Sequence, residues 1–328
     1  MGIISHSSFL FRVKTSAPGK IILFGEHAVV YNRPALAVPV NQVQVTAEVL
    51  DSDSAGIFID APMVNLHDEL NALPADHAIG SVILKVFSTL GLSSPSGRRA
   101  GDEGGIEINI TSTIPVAAGL GSGAAVSVAL IRALSAYLNH PLPDEQVNDL
   151  VFKIEKLHHG TPSGIDNTVI TFNKPVYFIK GQPIETFKTG KPFMIVIGDT
   201  GIPAPTKESV GDVRRLWIKD NITFENIFNE IAQLSLIARR SIESGKPELL
   251  GELMNQNHEL LQQLTVSSPE LDKLVEAAKN AGALGAKLSG GGRGGNMIAL
   301  VEKETAENVS NALISAGAKR TIVTTIDN

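Results

Sequence analysis

The sequence predicts a chain of mixed helices and strands, arranged as two domains or one large α/β unit. Three observations lead there. The chain has 328 residues, and domains usually hold roughly 100–200. Apolar residues make up 43% and charged residues 19%, enough to bury a core and too little charge for a disordered chain. The hydrophobic pattern also changes along the chain, from strand-like alternation to helical spacing. The change falls in the turn cluster at 188–192, so the expected domains are 1–190 and 191–328.

The elements follow in order. An apolar strand precedes Gly25. Val43, Val45, Ala47 and Val49 alternate with polar residues, as do Ile106, Ile108 and Ile110; both patterns mark half-buried strands. Ala78 to Leu90 reads as a helix. Residues 91–105, rich in Gly, Ser, Pro and charge, read as an exposed loop. Ala124 to Leu138 and Asp144 to His158 read as helices, the second with Val147, Leu150, Val151, Ile154 and Leu157 on one stripe. After the strand Phe193–Ile197, helices are expected near 206–218, 223–244, 246–263 and 269–281. The last has Ser268 as N-cap, Pro269 in its first turn and Gly282 beyond its end. Strands at Ala286–Ser289, Asn296–Val301 and Lys319–Thr325 follow, with a helix near 303–315.

Composition excludes several classes. The 28 basic and 34 acidic residues give a net charge of −6, against a general nucleic-acid binder and against docking on anionic membrane. There is no cysteine, so disulfides, thiolate metal sites and cysteine nucleophiles are ruled out, and a cytoplasmic setting fits. The longest uncharged stretch, Ile114–Ile131, is broken by Pro115, Gly119, Gly121 and Gly123 and reads as loop-then-helix rather than a membrane span. No signal peptide is visible.

Three glycine-bearing motifs stand out. The central one runs Pro115-Val116-Ala117-Ala118-Gly119-Leu120-Gly121-Ser122-Gly123-Ala124-Ala125, between a strand and a helix. Free N–H groups at a helix start, with the helix dipole behind them, form an anion site. A nucleotide phosphate is the natural occupant; a tightly packed turn is the alternative. It is neither a Walker A loop nor a Rossmann fingerprint. The second motif, Pro18-Gly19-Lys20 through Gly25-Glu26-His27-Ala-Val-Val-Tyr31, places a lysine at a strand start and two polar residues at its end. Taken alone, a lysine at a strand start is usually solvated, and a histidine such as His27 is more often structural than catalytic. The third, Gly285-Ala-Lys287-Leu-Ser289-Gly290-Gly291-Gly292-Arg293-Gly294-Gly295-Asn296, has five glycines in six positions. Such a loop can wrap a ligand at little steric cost.

In this order the motifs resemble those of the GHMP kinase superfamily, over nearly the whole chain. Within it the sequence is similar to the mevalonate kinases. Galactokinases typically carry Thr-Asp after the Glu-His pair, and homoserine kinases lack the aspartate that Asp166 would supply. Glu155-Lys-Leu-His-His-Gly160-Thr-Pro-Ser163-Gly-Ile-Asp166-Asn, Asn255-Gln-Asn-His-Glu-Leu-Leu and Gly282-Ala-Leu-Gly-Ala-Lys-Leu add to the likeness. The resemblance implies a two-domain α+β fold. Its N-terminal domain is like domain 2 of ribosomal protein S5 and holds the ATP loop and catalytic aspartate. Its C-terminal domain is ferredoxin-like and holds the third glycine motif.

It also implies ATP- and magnesium-dependent phosphorylation of the mevalonate 5-hydroxyl, in isoprenoid biosynthesis. Asp166 would be the base and Lys20 would offset charge in the transition state. Residues Pro115 to Ala125 would bind ATP. Glu26, His27, Ser163, Thr206, Ser289 and Gly290 would face the substrate. Glu155 would hold magnesium. The family's second magnesium ligand is the second serine of a Gly-Leu-Gly-Ser-Ser motif; that position is Gly123 here, leaving Ser122 as the hydroxyl. Arg293 stands where relatives usually keep glycine. It would either point to solvent or bring its guanidinium to a phosphate or a substrate group. Homodimers are common among such relatives. Two alternatives stay open: another small-molecule kinase, such as one acting on phosphomevalonate, or a non-catalytic ligand sensor.

Overall fold

The computed structural model describes residues 11–92, 105–115, 119–159, 163–204 and 206–327. The elements are β1 (Arg12–Phe24), β2 (Ala35–Ser52), β3 (Ile57–Ala61), β4 (Leu66–Glu69), α1 (Ala78–Thr89), β5 (Gly105–Ser112), α2 (Ser122–Tyr137), α3 (Asp144–His159), α4 (Ile165–Phe172), β6 (Val176–Phe178), β7 (Glu185–Thr186) and β8 (Phe193–Asp199). There follow α5 (Thr206–Lys219), α6 (Asn221–Glu243), α7 (Leu250–Gln263), α8 (Pro269–Asn280), β9 (Gly285–Ser289), β10 (Asn296–Val301), α9 (Ala306–Ala316) and β11 (Arg320–Ile326). Most of the loop expected at 91–105 lies outside the described residues.

Two compact units form, and neither is continuous in sequence. The first holds residues 1–17, 44–113 and 123–162; the second holds 18–43, 114–122 and 163–328. The chain passes from one to the other within β1, β2 and α2, and again after residues 113 and 162.

In the first unit, the C-terminal part of β2 pairs antiparallel with β5, from Val45 opposite Ser112 to Ser52 opposite Gly105. β3 runs parallel to β5 and antiparallel to β4. Val45, Ala47 and Val49 point into the core with Ile106, Ile108 and Ile110, because strand side chains alternate between faces. Helix α3 buries Val147, Leu150, Val151 and Ile154, but Leu157, expected on the same stripe, is 72% exposed. Lys156 and Leu157 both face away from the core.

In the second unit, the N-terminal part of β2 pairs with β6, which pairs with β7. Ala35 and Ala37 pack with Ile165, Val169, Val176 and Phe178. The strands β8 to β11 form a separate antiparallel sheet in the order β11-β8-β10-β9. Numbered within that sheet, the order is 4-1-3-2. With helices between β8 and β9 and α9 between β10 and β11, this is the ferredoxin-like arrangement, enlarged by extra helices after its first strand. The expected helix at 246–263 begins as a short 3-10 turn, Pro247–Leu249, before α7. Ser268 caps α8 by accepting from the Leu271 amide.

Strand β9 lies at the edge of that sheet and is buried throughout. An open edge leaves amides unpaired, and α7 covers them. The Ala286 amide donates to Asn255 Oδ1 (3.1 Å) and the Leu288 amide to His258 Nδ1 (3.3 Å). His258 Nε2 in turn meets Asp272 at 3.1 Å. This explains the Asn-Gln-Asn-His run in α7: two of its side chains complete the strand. Among the described residues, no helix is long and apolar enough to cross a membrane.

Candidate active site

All the contacts that build the site fall within the second unit. Strand β1 carries Lys20, whose backbone amide donates to the Leu120 carbonyl at 3.0 Å. That bond clips the central glycine loop to the strand. Gly121 has φ +75°, and a Cβ there would lie 2.9 Å from Lys20 Cγ. Only glycine lets the loop lie against the lysine stem.

Lys20 Nζ meets Asp166 Oδ1 at 3.1 Å, with side chains 8% and 32% exposed. Asp166 sits in the first turn of α4, where the helix dipole favours a carboxylate. The helix starts from a left-handed Gly164, and Ser163 Oγ accepts from the Ile165 amide at 3.2 Å. Ser163 itself is exposed. The sequence does not announce this helix: its β-branched run Thr168-Val169-Ile170-Thr171 gives no helical signal.

The second and third motifs meet face to face. Lys287 and Ser289 lie on the same face of β9. Lys287 Nζ forms a fully buried ion pair with Glu26 and donates to the Leu288 carbonyl at 2.6 Å. Ser289 Oγ donates to the Ile22 carbonyl at 2.7 Å. Burial pushes the Glu26 carboxyl up and the Lys287 ammonium down, and the attraction between the two opposes both shifts.

His27 follows with φ +59° and is buried. Its Nε2 lies 3.0 Å from the Gly291 carbonyl, while Nδ1 has no partner in the protein. Burial lowers its pKa to about 4; the hydrogen bond to Gly291 opposes this, and the nearby Arg293 charge adds to it. The ring is therefore neutral near pH 7. Because a carbonyl can only accept, Nε2 carries the proton and Nδ1 is left as a buried acceptor.

The remaining expected residues are placed as follows. Thr206 opens α5, and a Cβ on Gly291 would come within 2.5 Å of its Oγ1. In the central motif, Pro115, Leu120, Ala124 and Ala125 are buried and Gly119 and Gly123 are exposed. Val116, Ala117 and Ala118 lie outside the described residues. Ser122 opens α2, and nothing stands within 4 Å of a Cβ built on Gly123. Glu155 is half-buried on α3, in the first unit. Arg293 matches neither expectation, since its guanidinium pairs with Asp212 on α5. Sequence reasoning quoted Lys287 without giving it a role. A lysine inside an otherwise buried strand was the available signal, since such a charge must be paired.

A lysine–aspartate pair beside a glycine loop that opens a helix is the arrangement of a small-molecule phosphotransferase. The family described as GHMP kinases N terminal domain matches residues 81–174, and GHMP kinases C terminal matches 238–319. A protein of Thermococcus gammatolerans named Mevalonate kinase is 38% identical over 323 residues, 93% of this chain and 94% of that one. The crystal structure of L. major mevalonate kinase in complex with R-mevalonate matches with a TM-score of 0.83 and 28% identity, covering 96% and 95% of the two chains. The Methanococcus jannaschii Mevalonate Kinase structure matches at 0.81 and 27%, covering 97% and 99%. The chain belongs to the GHMP kinase family.

The His27 environment predicts a pH dependence of stability. The folded pKa of about 4 lies below the ordinary 6.5, so the unfolded chain binds more protons between those values. The stability this supplies is complete above the unfolded pKa and is lost as pH falls through the folded one, by up to about 3 kcal/mol. Glu26 has the opposite sign: its raised pKa favours the folded state at low pH, and that gain is lost as pH rises. Urea unfolding of wild type and His27→Gln from pH 7 to 4 cancels the Glu26 part. Wild type should lose about 2–3 kcal/mol more than the variant; parallel profiles would remove His27 as the cause.

Proposed function

We propose that the protein transfers the γ-phosphoryl group of ATP to the 5-hydroxyl of mevalonate, forming 5-phosphomevalonate for isoprenoid biosynthesis. The observation that carries this is the Lys20–Asp166 contact at 3.1 Å, beside the Leu120–Gly121 backbone. Phosphoryl transfer needs positioning, charge neutralisation and a proton acceptor. Asp166 takes the hydroxyl proton as the new P–O bond forms and ADP leaves. Lys20 stays on the carboxylate and offsets charge spreading over the phosphoryl oxygens. The backbone from Pro115 to Ala125 receives the ATP phosphates at the start of α2.

On the substrate side, His27 Nδ1 is an acceptor with no partner in the protein, suited to a substrate hydroxyl. Glu26, held by Lys287, fixes the turn that aims it. Ser163, Thr206, Ser289 and Gly290 complete that side of the site.

The family resemblance assigns magnesium to Glu155, a carboxylate, and Ser122, a hydroxyl, both hard oxygens of the kind the ion prefers; nothing stands within 4 Å of a Cβ built on Gly123. Among the described residues no group of three or more His, Asp or Glu could cage a metal. That suits an ion that takes most of its shell from phosphates and water. When bound, it would neutralise phosphate charge.

A phosphorylated substrate would call for additional cations, and of the candidates Lys20, Lys207 and Arg293, Lys20 is already matched by Asp166 and Arg293 by Asp212. A non-catalytic sensor is disfavoured by the paired Lys20 and Asp166. The division 1–190 and 191–328 is part of the same proposal, supported by family matches that end and begin on either side of residue 190. A cytoplasmic setting rests on the absence of cysteine, and a homodimer rests on family resemblance.

A coupled ADP-release assay with mevalonate, phosphomevalonate, homoserine and galactose tests the activity. Turnover confined to mevalonate is expected, and turnover confined to another substrate refutes it. Asp166→Asn should lower kcat by roughly 10²–10⁴-fold with little change in ATP affinity; near wild-type kcat would remove it from the mechanism. Glu155→Gln should raise the magnesium concentration needed for half-maximal rate, because an anionic ligand is lost. Gly123→Ser should lower that concentration. Unchanged titrations in both would make Glu155 structural and the second hydroxyl irrelevant.

A further inference from the structure

We infer that Arg293 is a positioning residue that latches α5 onto the glycine-rich loop and so holds Thr206 over Gly291. The inference rests on the proposed substrate side of the site, to which His27, Gly291 and Thr206 belong.

The backbone supplies the first sign. Arg293 has φ +58°, a left-handed conformation that an L side chain rarely adopts and that glycine takes without strain. An arginine persists there when its side chain makes contacts that glycine cannot. Three ties converge on this residue, two of them from the side chain. The Arg293 amide donates to the Val266 carbonyl at 2.8 Å. Its Nε donates to the Thr265 carbonyl at 3.2 Å. Its Nη1 pairs with Asp212 on α5. The first bond needs only a backbone; the other two need the guanidinium.

Helix α5 needs such a tie. Of its 14 residues only Ser209 and Val213 are buried, so apolar packing holds little of it. Its first residue lies hard against the loop: a Cβ on Gly291 would come within 2.5 Å of Thr206 Oγ1 and 3.0 Å of Thr206 Cα. The Gly291 carbonyl is in turn the partner of His27 Nε2. Residues 291 and 293 of one loop thus hold the start of α5 by close contact and its middle by an ion pair.

Asp212 also pairs with Arg215 one turn along the same helix. That pair keeps the carboxylate satisfied without tying α5 to anything. Arg293 is the partner that links two elements. Arginine serves Thr265 and Asp212 from two separate nitrogens of a rigid fork, a spacing that the single ammonium of a lysine does not reproduce.

The test uses Arg293→Gly, Arg293→Lys, Asp212→Asn and the double variant Arg293→Gly/Asp212→Asn. Two readouts are taken: steady-state KM and kcat, and amide hydrogen exchange over 206–219 without substrate. Glycine suits the backbone conformation, so Arg293→Gly should stay folded. Arg293→Gly and Asp212→Asn should each raise KM for mevalonate by about 3–10-fold, the scale of a partly exposed ion pair. KM for ATP should stay within about twofold. The double variant should be no worse than the worse single, and Arg293→Lys should lie between glycine and wild type. Exchange over α5 should quicken while β8, β10 and β11 keep their protection. A KM effect in Arg293→Gly with none in Asp212→Asn would mean that Arg293 meets the ligand directly, and it overturns the latch. Faster α5 exchange with unchanged KM overturns the positioning role. Unchanged exchange overturns the latch whether or not mevalonate is the substrate.

Discussion

The ion pair between Lys287 and Glu26 is the contact on which the site geometry depends. Both side chains are fully buried, and they come from opposite ends of the chain. Lys287 stands on β9, just before the glycine-rich loop. Glu26 stands at the end of β1, between Gly25 and His27. Six residues upstream of Glu26 on β1 lies Lys20, paired with Asp166. One contact therefore sets the loop against the strand that carries the lysine of the proposed phosphoryl-transfer site. Pairs of this kind add little net stability over an apolar pair, but removing one partner strands a buried charge. Their value is geometric: the Lys287 ammonium donates both to the Glu26 carboxylate and to the Leu288 carbonyl, and few arrangements of loop and strand satisfy both.

The surroundings keep that pair in place. The buried edge strand β9 is completed by Asn255 and His258 of α7, so Lys287 cannot drift with a fraying edge. Ser289 ties the next position on the same face to the Ile22 carbonyl. At the far side of the second motif, Tyr31 stacks on Phe228 with ring centroids 4.1 Å apart. Arg33 donates to Asn229 at 2.8 Å and pairs with Glu225, which also accepts from the Trp217 indole at 2.9 Å. The Gly25-to-Arg33 segment is thus gripped at both ends, and His27 is held between them with one nitrogen committed and one left over.

Much of this was legible in the sequence wherever a period or a joint set of motifs existed. Alternation marked the strands around Val45 and Ile108, and helical spacing with caps marked α8. The order of three glycine motifs identified the family. Short or two-sided elements stayed hidden: β4 is polar, β6 and β7 are two or three residues long, and the N-terminal half of β2 is apolar on both faces, so neither period applies. Helix α4 was hidden by β-branched residues that read as strand. At the site, Lys20 and Asp166 were found through their motifs. The partner of Glu26 was not, because a pairing across 261 residues leaves no local trace. Arg293 was visible as an anomaly, but its partner on α5 could only come from the folded chain.

Double-mutant-cycle unfolding of Lys287→Met, Glu26→Gln and the combined variant, with kcat measured alongside, tests the central role of the buried pair most directly. Lys287→Met should cost about 3–5 kcal/mol by leaving Glu26 charged and unpaired, and the combined variant should recover most of that loss. Turnover should fall in all three, because the loop is no longer set by the pair. Single variants within about 1 kcal/mol of wild type, or full turnover in the combined variant, would contradict the claim that this contact organises the site.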